Sequence, residues 1–267
     1  MLIAKFRTIL KPILYKVLGI KAYEWFYYKG KANDIQAGHF LEPETALFKE
    51  FIKHGDEAID IGSNYGHVSI LLAQLATPGT IYSFEPIPFT YRVNRRILNK
   101  FQARNVELFN IGVSNVSEEQ EFKVPLLDFG APDTGLAFIS TRTFLEHEVF
   151  IKYNVPVVSL DEFLLTKLKN LKFVKIDIEG AELLALKGME KIIDKYKPVL
   201  LVEICPDYLK GFNISPCEFE QYIKNILKYD LFTYSHKTKK LIPEMHLRDA
   251  YYILIHKDAT HSFSYLI

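Results

Sequence analysis

The sequence predicts an α/β protein built on a mostly parallel sheet with helices on both faces. Short apolar runs alternate with helical patterns from residue 43 onward, and strands separated by helices are typical of such a sheet. The 267 residues include 49% hydrophobic and 24% charged residues, a composition typical of globular proteins. The two cysteines, Cys205 and Cys217, form no CxxC motif, which excludes a disulfide scaffold and favours a reducing compartment.

The elements follow from the spacing of apolar residues along the chain. Strands are predicted at 57–61, 80–84, 106–111, 173–178, 198–204, 231–235 and 250–255. Helices are predicted at 44–54, 67–75, 90–101, 160–168, 182–196 and 217–227. The last two strands are expected to close the sheet. The stretch from 114 to 155 is predicted to be irregular, and its length favours a lid or a substrate-facing insertion.

Residues 1–40 are predicted to form a helical extension that precedes the main domain, residues 41–267. Apolar residues recur at helical spacing in the extension, lysines interrupt them, and no acidic residue precedes Glu24. Two interpretations stay open for this pattern. Residues 1–20 could lie on an anionic membrane surface, or the apolar stripe could pack on the domain or on a second subunit. Pro12 is expected to kink or split the helix.

The charge balance limits the partners that we expect. Thirty-three basic residues against 32 acidic ones leave a net charge of +1, so the chain lacks the basic footprint of nucleic-acid binding. The sequence contains no uninterrupted apolar run of about 18 residues, and basic residues break each candidate signal region. We therefore expect a cytoplasmic protein that contacts the membrane face, if at all, through its extension. No sequence feature fixes the oligomeric state.

The first predicted strand runs into a glycine-bearing turn that contains Asp60, Gly62, Ser63, Asn64 and Gly66. A turn of this kind before a helix holds nucleotide-like ligands, since glycine lets the backbone approach them. The spacing is DxGxxxG, whereas dinucleotide sites need GxGxxG. Asp60 would repel a pyrophosphate but suits a cationic ligand with an α-amino group, such as S-adenosylmethionine (SAM). The alternative is a tight turn in which Asp60 only caps backbone N–H groups.

Two further strand ends extend the predicted cofactor site. Glu85 and Pro86 follow the second strand, where an acid can accept hydrogen bonds from both ribose hydroxyls. An acid at this point also fits a dehydrogenase, so Glu85 alone does not separate the two classes. Ile111, Gly112 and Val113 follow the third strand and are expected to line an adenine slot.

Carboxylates follow the fourth predicted strand and are expected to face the same crevice, because ligands bind at the carboxyl ends of parallel strands. Asp177 is the first candidate to take the proton from an acceptor hydroxyl, with Glu179 and His67 behind it. Glu182 is interpreted as an acid in the first turn of the next helix. Magnesium held by Asp177 and Glu203 is an open alternative, and no metal is predicted.

At this point the sequence resembles a known family. The segments that carry the resemblance are, in order, IDIGSNYG, SFEP, NVELFNIGVSN, LKFVKIDIEGAELLALKGME and KPVLLVEI. They resemble the FkbM family of SAM-dependent methyltransferases over about residues 40–205. Ser63 stands where the family commonly has alanine, and His67 stands where it commonly has tyrosine or phenylalanine.

The resemblance implies a class I methyltransferase fold, with a seven-stranded, Rossmann-like sheet and a C-terminal antiparallel hairpin. It also implies O-methylation of a hydroxyl on a sugar, a glycan or another natural product. The residues that it assigns to SAM binding are Asp60, Gly62, Asn64, Gly66, Glu85 and Asp177. Two other functions stay open: a non-catalytic module with a SAM-binding fold, and an NAD-type oxidoreductase, against which the missing GxGxxG argues.

Overall fold

An eight-stranded sheet forms the centre of the computed structural model, which describes residues 2–39, 42–127, 132, 138–139 and 149–267. Its strands, in sheet order, are β11 (Lys240–Pro243), β10 (Tyr229–Ser235), β12 (Ala250–His256), β9 (Val199–Ile204), β8 (Leu171–Ile176), β1 (Glu57–Ile61), β2 (Ile81–Phe84) and β3 (Val106–Phe109). The five strands from β9 to β3 are parallel, and β12 runs antiparallel between β9 and β10.

This arrangement confirms the predicted fold class, including the antiparallel closure of the sheet. The predicted strands all form, and β11 adds an eighth at the edge. β11 escaped prediction because it is short and only Leu241 in it is buried.

Helices cover both faces of the central sheet. They are α1 (Leu2–Gln36), α2 (Phe48–Phe51), α3 (His67–Ala76), α4 (Pro88–Lys100), α5 (Leu160–Phe163), α6 (Glu182–Lys187), α7 (Glu190–Tyr196), α8 (Pro206–Leu209) and α9 (Pro216–Gln221). Successive residues of β1 point to opposite faces. Ala58 therefore joins the apolar cluster around Phe48 and Leu72, whereas Ile59 joins the cluster around Leu183 and Ile192.

Several predicted helices are shorter or divided in the structure. The helix predicted at 182–196 breaks into α6 and α7 at Gly188, where a Cβ would lie 2.0 Å from the carbonyl oxygen of Ser114. The helix predicted at 160–168 ends at Phe163. The one predicted at 217–227 ends in a π-helical turn, Tyr222–Leu227, and the one predicted at 44–54 begins as the 3₁₀ turn Pro43–Leu47.

The extension forms a broken helix whose second half packs on the domain. The break lies at Gly19, with φ 76° and ψ 178°, so the expectation that Pro12 interrupts the helix is wrong. Glycine has no Cβ and adopts this backbone conformation without a clash. Tyr23 and Ala32 are buried in one cluster with Phe89 of α4. The side chains of residues 2–14, which carry most of the predicted apolar stripe, lie outside the described residues.

A second, four-stranded sheet follows β3. It consists of β4 (Gly112–Val113), β7 (Phe150–Val158), β5 (Glu118–Pro125) and β6 (Phe138–Ile139), in that order. The prediction of an irregular stretch from 114 to 155 is therefore wrong over β5 and β7, which pair antiparallel. Charged residues in β5 hid the pattern, although Phe122 and Val124 are buried. Residues 128–131, 133–137 and 140–148 of the predicted lid lie outside the described residues.

Candidate active site

The turn after β1 is held against the ends of β2 and β8. Gly62 and Gly66 have φ values of 77° and 83°, which favour glycine. A Cβ at Gly62 would lie only 1.9 Å from the backbone oxygen of Asp177. The amides of Gly62 and Ser63 both donate to the carbonyl of Phe84, at 3.0 and 2.9 Å. Glycine at position 62 therefore allows the three strand ends to meet.

Glu85, at the end of β2, is anchored by backbone N–H groups. Its Oε2 accepts from the Asn64 amide at 3.0 Å and its Oε1 accepts from the Ile87 amide at 2.9 Å. Burial raises the pKa of Glu85 to about 8, against the lowering effect of these two hydrogen bonds. Asn110 fixes the same turn, since its Nδ2 donates to the carbonyls of Glu85 and Pro86. In its ionised form, each oxygen of Glu85 keeps a lone pair for a ligand hydroxyl.

Asn64 presents a buried acceptor to the site. Its backbone has φ 47°, and Asn94 Nδ2 holds the turn by donating to the Asn64 carbonyl at 2.9 Å and to Ser63 Oγ at 3.0 Å. Among the described residues, the side-chain oxygen of Asn64 has no hydrogen-bond partner. Because a buried acceptor without a partner costs free energy, this oxygen is placed to receive a donor from a ligand.

Asp60 lies beneath the turn and is fully buried. Its Oδ2 accepts from Ser69 Oγ at 2.5 Å, and its Oδ1 lies 3.9 Å from Lys175 Nζ. Burial raises the pKa of Asp60, whereas the charge of Lys175 lowers it. We expected Asp60 to attract a cationic ligand. In the structure the cation that it faces is Lys175, because Asp60 has no exposed surface.

A cavity of about 430 Å³ opens at the carboxyl ends of β1 and β8. Its lining residues are His39, Glu42, Pro43, Asn64, His67, Lys175 and Asp177. The volume is within the range of small-molecule sites. Three predicted site residues, Asn64, His67 and Asp177, thus come together, while the segment after α1 and Lys175 contribute lining that the sequence did not predict.

Lys175 is a buried cation at the centre of this site, with a side chain only 2% exposed. Its Nζ lies 2.9 Å from Asp177 Oδ2 and donates to the Gly62 carbonyl at 3.2 Å. Burial lowers the pKa of Lys175, but the charges of Asp177 and Asp60 outweigh it and hold the pKa above its usual value. Lys175 therefore stays charged and links the turn after β1 to Asp177.

Asp177 collects hydrogen bonds from several segments. The hydroxyl of Tyr251 lies 3.0 Å from Asp177 Oδ2 and 3.4 Å from Glu42 Oε1. Burial raises the pKa of Asp177. The charge of Lys175 and the hydrogen bonds from Glu203 and Tyr251 together lower this pKa by more than burial raises it, so the net shift is downward. Burial and the charge of Asp177 raise the pKa of Glu203 to about 9. At neutral pH the Asp177–Glu203 pair thus holds one proton, on Glu203.

His67 lines the cavity at the first position of α3. Burial lowers its pKa to about 4, and the charge of Lys175 adds to the effect. His67 is therefore a neutral imidazole at pH 7, able to accept a hydrogen bond or a proton from a bound group.

The other two carboxylates after β8 play different parts. Within the described residues, the cavity lining does not include Glu179, which has φ 58°. Glu182 is buried in the first turn of α6, and its Oε1 accepts from the amides of Ile178 and Gly180 at 3.2 and 3.0 Å. Burial raises the pKa of Glu182 to about 7. Glu182 lies in the first turn of α6, as the sequence interpretation has it, and it also fixes the loop that carries Asp177.

Ile111, Gly112 and Val113, which were predicted to line an adenine slot, are not part of the lining of this cavity among the described residues. Gly112 and Val113 form β4 and pair with β7. A Cβ at Gly112 would lie 2.9 Å from Val157 Cγ1 and 3.2 Å from Phe122 Cζ, and Val113 is buried in the main core. The second sheet therefore covers one side of Gly112 and Val113, and their contact with adenine stays a prediction.

The candidate metal ligands are not grouped for coordination. In the part of the chain that the structure describes, no three His, Cys, Asp or Glu side chains form a cluster that could hold a metal ion. Asp177 and Glu203, considered above for magnesium, instead share a hydrogen bond.

The fold and the turns define a class I SAM-dependent methyltransferase domain. Strands β3-β2-β1-β8-β9-β12-β10 have the order of that class, with β12 as its antiparallel strand. The model of the Methyltransferase FkbM domain matches residues 60–232. The chain therefore belongs to the FkbM methyltransferase family, which supports the resemblance over the oxidoreductase alternative.

Two similar proteins agree with this assignment. Methyltransferase 1 of Beauveria bassiana (strain ARSEF 2860) is 24% identical over 172 residues, which cover 55% of this chain and 64% of that protein. The crystal structure of a methyltransferase FkbM from Methylobacillus flagellatus KT matches with a TM-score of 0.50 and 17% identity, over 77% of this chain and 44% of that one. At 17% identity, the match to the crystal structure shows that the fold is shared, and no more than the fold. The chain thus spans less than two thirds of either relative.

Proposed function

We propose that this protein transfers a methyl group from SAM to a hydroxyl of a sugar, a glycan or another natural product. The observation that carries the proposal is the cavity that joins the cofactor turn, through Asn64, to Asp177. A hydroxyl acceptor and its proton acceptor would then meet next to the bound cofactor. Membership of a methyltransferase family supports the transfer itself.

The residues of the two turns fit the cofactor. Asn64 Oδ1 is a buried acceptor that needs a donor, and the carboxylate of Glu85 is held by backbone N–H groups at the end of β2, where ribose hydroxyls bind in related sheets. When bound, SAM supplies an electrophilic methyl group on a sulfonium sulfur. The chain supplies the alignment, which accounts for much of the rate of such a displacement.

Asp177 is the residue that we assign to the acceptor proton. Its low pKa makes it a weak base, but a weak base is sufficient when the proton leaves late. The hydroxyl proton becomes strongly acidic as the oxygen forms its new bond to carbon. Asp177 can then accept it and become a neutral acid, while Asp60 remains as the anionic partner of Lys175. His67 is the second candidate, since it is neutral and lines the same cavity.

The lining of the cavity favours a neutral polyol as the acceptor. Glu42 and Asp177 offer carboxylate oxygens there, and such oxygens accept hydrogen bonds from sugar hydroxyls. The one cation of the lining other than histidine, among the described residues, is Lys175, which is already paired with Asp177. An anionic acceptor would find no uncommitted lysine or arginine in this lining.

The first test is binding of S-adenosylhomocysteine by calorimetry, with two matched glycine variants. Gly62→Ala would place a Cβ 1.9 Å from the Asp177 oxygen, whereas at Gly55, which has a similar φ of 85°, a Cβ meets nothing within 4 Å. We expect binding by the wild type, a loss of about tenfold or more in Gly62→Ala, and little change in Gly55→Ala. Thermal unfolding checks that each variant is folded.

Two results would contradict the proposal. The wild type could fail to bind S-adenosylhomocysteine, or transfer of labelled methyl from SAM could proceed to amines or carboxylates but to no hydroxyl in a panel of acceptors. Neutral and acidic sugars in that panel test the acceptor class. Glu85→Gln, with exposed Glu107→Gln on β3 as its control, gives a second test of the cofactor turn that does not depend on glycine.

A further inference from the structure

On both sides of its break at Gly19, α1 exposes large apolar side chains next to lysines. The exposed fractions are 72% for Val17, 43% for Ile20, 48% for Trp25 and 41% for Phe26. Lys16, Lys21 and Lys29 are exposed as well. We call these seven residues the α1 surface. Exposed apolar patches rimmed by polar residues are typical of interaction sites.

Lysines lie directly beside the exposed tryptophan. Lys21 and Lys29 stand four residues before and after Trp25, so all three share one face of the helix. Lys29 Nζ lies 5.4 Å from the centroid of the Trp25 ring. The apolar ring and its flanking charges therefore form a continuous surface.

Among the described residues, no ion pair joins these lysines to a carboxylate of the helix. Glu24 is the sole acidic residue of the sequence before Asp34, and it is buried. Its carboxylate is already bound by α4, with Arg92 Nε at 2.8 Å and Arg96 Nη2 at 3.3 Å. Two guanidinium groups thus face one carboxylate, which leaves a net positive charge where α1 meets α4.

We propose that the α1 surface binds the face of an anionic lipid bilayer. Tryptophan and phenylalanine favour the boundary between headgroups and acyl chains, and lysines are attracted to anionic headgroups. No helix in the described part of the chain combines the length and apolar character that a membrane crossing requires. Tyr23 and Glu24 fix α1 to α4, which holds Trp25 outward.

The charge of the α1 surface also favours an anionic bilayer over a second copy of the chain as its partner. A symmetric dimer through the α1 surface would bring the same lysines of both copies together, and such like-charge contacts are unfavourable. An anionic bilayer offers the opposite charge. This inference is independent of the methyl transfer proposed above.

The tryptophan itself is the probe, because Trp25 is the single tryptophan of the chain. We expect its fluorescence to shift to shorter wavelength when vesicles of phosphatidylcholine and phosphatidylserine are added. Brominated acyl chains should quench it, and high salt should reverse the shift. Vesicles of phosphatidylcholine alone should cause little change. An unchanged spectrum with the anionic vesicles would overturn the proposal.

Charge-reversal variants provide the matched control. Lys21→Glu/Lys29→Glu keeps Trp25 and should weaken co-sedimentation with anionic vesicles by about tenfold or more. Lys237→Glu/Lys239→Glu makes the same change in the exposed turn between β10 and β11 and should bind as the wild type does. Equal losses in both variants would contradict the proposal. So would a concentration-dependent shift without lipid, which would assign the surface to self-association.

Discussion

The two halves of the candidate site are built in different ways. On the cofactor side, glycines and backbone N–H groups fix the turns, and Glu85 is held by two amides. On the acceptor side, the contacts are between ionisable side chains: Lys175, Asp177, Glu203, Tyr251 and Glu42. Backbone hydrogen bonds fix the geometry of the cofactor side. The contacts of the acceptor side depend on which of its side chains are charged.

This difference predicts separate effects of mutation. A change on the cofactor side should act on binding, because it disturbs a backbone cradle. A change on the acceptor side should act on turnover, stability and pH dependence, because it leaves buried charges without their partners. The following predictions test that separation.

The largest effect is expected from Asp177→Asn. If Asp177 takes the acceptor proton, the variant should lose about 10²- to 10⁴-fold in kcat, since asparagine cannot accept it. Binding of S-adenosylhomocysteine should change little, because Glu85 and Asn64 remain in place. Turnover with labelled SAM and calorimetry measure the two effects separately. The control is Asp194→Asn on α7, where the carboxylate is exposed.

The separation would break if Asp177→Asn lost cofactor binding and turnover together. That result would place Asp177 in the cofactor site, as the family resemblance implies. Turnover close to that of the wild type would remove Asp177 as the base and leave His67 as the candidate.

A large loss of stability is expected from Lys175→Met. The change leaves the buried carboxylates of Asp60 and Asp177 without their cation, and breaking such a buried pair costs about 3–5 kcal/mol in the free energy of unfolding. Lys172→Met, at an exposed position of the same strand, should cost about 0.5 kcal/mol or less. Urea denaturation measures both values.

A double variant sharpens this prediction. Lys175→Met leaves the carboxylates of Asp60 and Asp177 without their cation. Adding Asp60→Asn removes one of these two unpaired charges, so part of the lost stability should return. The loss of unfolding free energy in the double variant could instead equal the sum of the losses in the two single variants. In that case the Asp60–Lys175 contact contributes nothing to stability.

The cofactor side could be predicted because its residues are close together in the sequence. Asp60 to Gly66 are consecutive, and Glu85 ends the next strand, so a motif and a strand pattern were sufficient to place them. The acceptor side depends on long separations. Tyr251 contacts Asp177 across 74 residues and Glu42 across 209. Neither Tyr251 nor Glu42 belongs to a local motif, so their roles depend on the way the sheet closes.

The burial of Asp60 also escaped the sequence for a physical reason. Residues of β1 alternate between the two faces of the sheet, and Asp60 points toward α3, where Ser69 binds it. Its motif position suggested a ligand contact, but the partner in the structure is Lys175 of the neighbouring strand. A motif identifies the strand end, and the pairing of strands decides which group meets the ligand.

The smallest effect concerns the pH dependence of stability. The pKa of Glu203 rises from 4.5 to about 9 through burial and the charge of Asp177. Between these values the folded protein holds a proton that the unfolded chain has released, so stability falls as pH rises through this range and levels off above it.

Glu203→Gln cannot titrate, so its stability should fall less steeply with pH, by up to about 1.4 kcal/mol per pH unit, or about 2.7 kcal/mol between pH 6 and pH 8. Urea denaturation at several pH values measures the slope, with exposed Glu119→Gln on β5 as the control. A slope equal to that of the wild type would mean that Glu203 shares no proton with Asp177. Any slope that remains in Glu203→Gln would include the cofactor side, because burial also raises the pKa of Glu85, to about 8. Mutations in the two halves would then still differ in their effects on cofactor binding and on turnover. Both halves, however, would contain a carboxyl group that is protonated in the folded state at neutral pH.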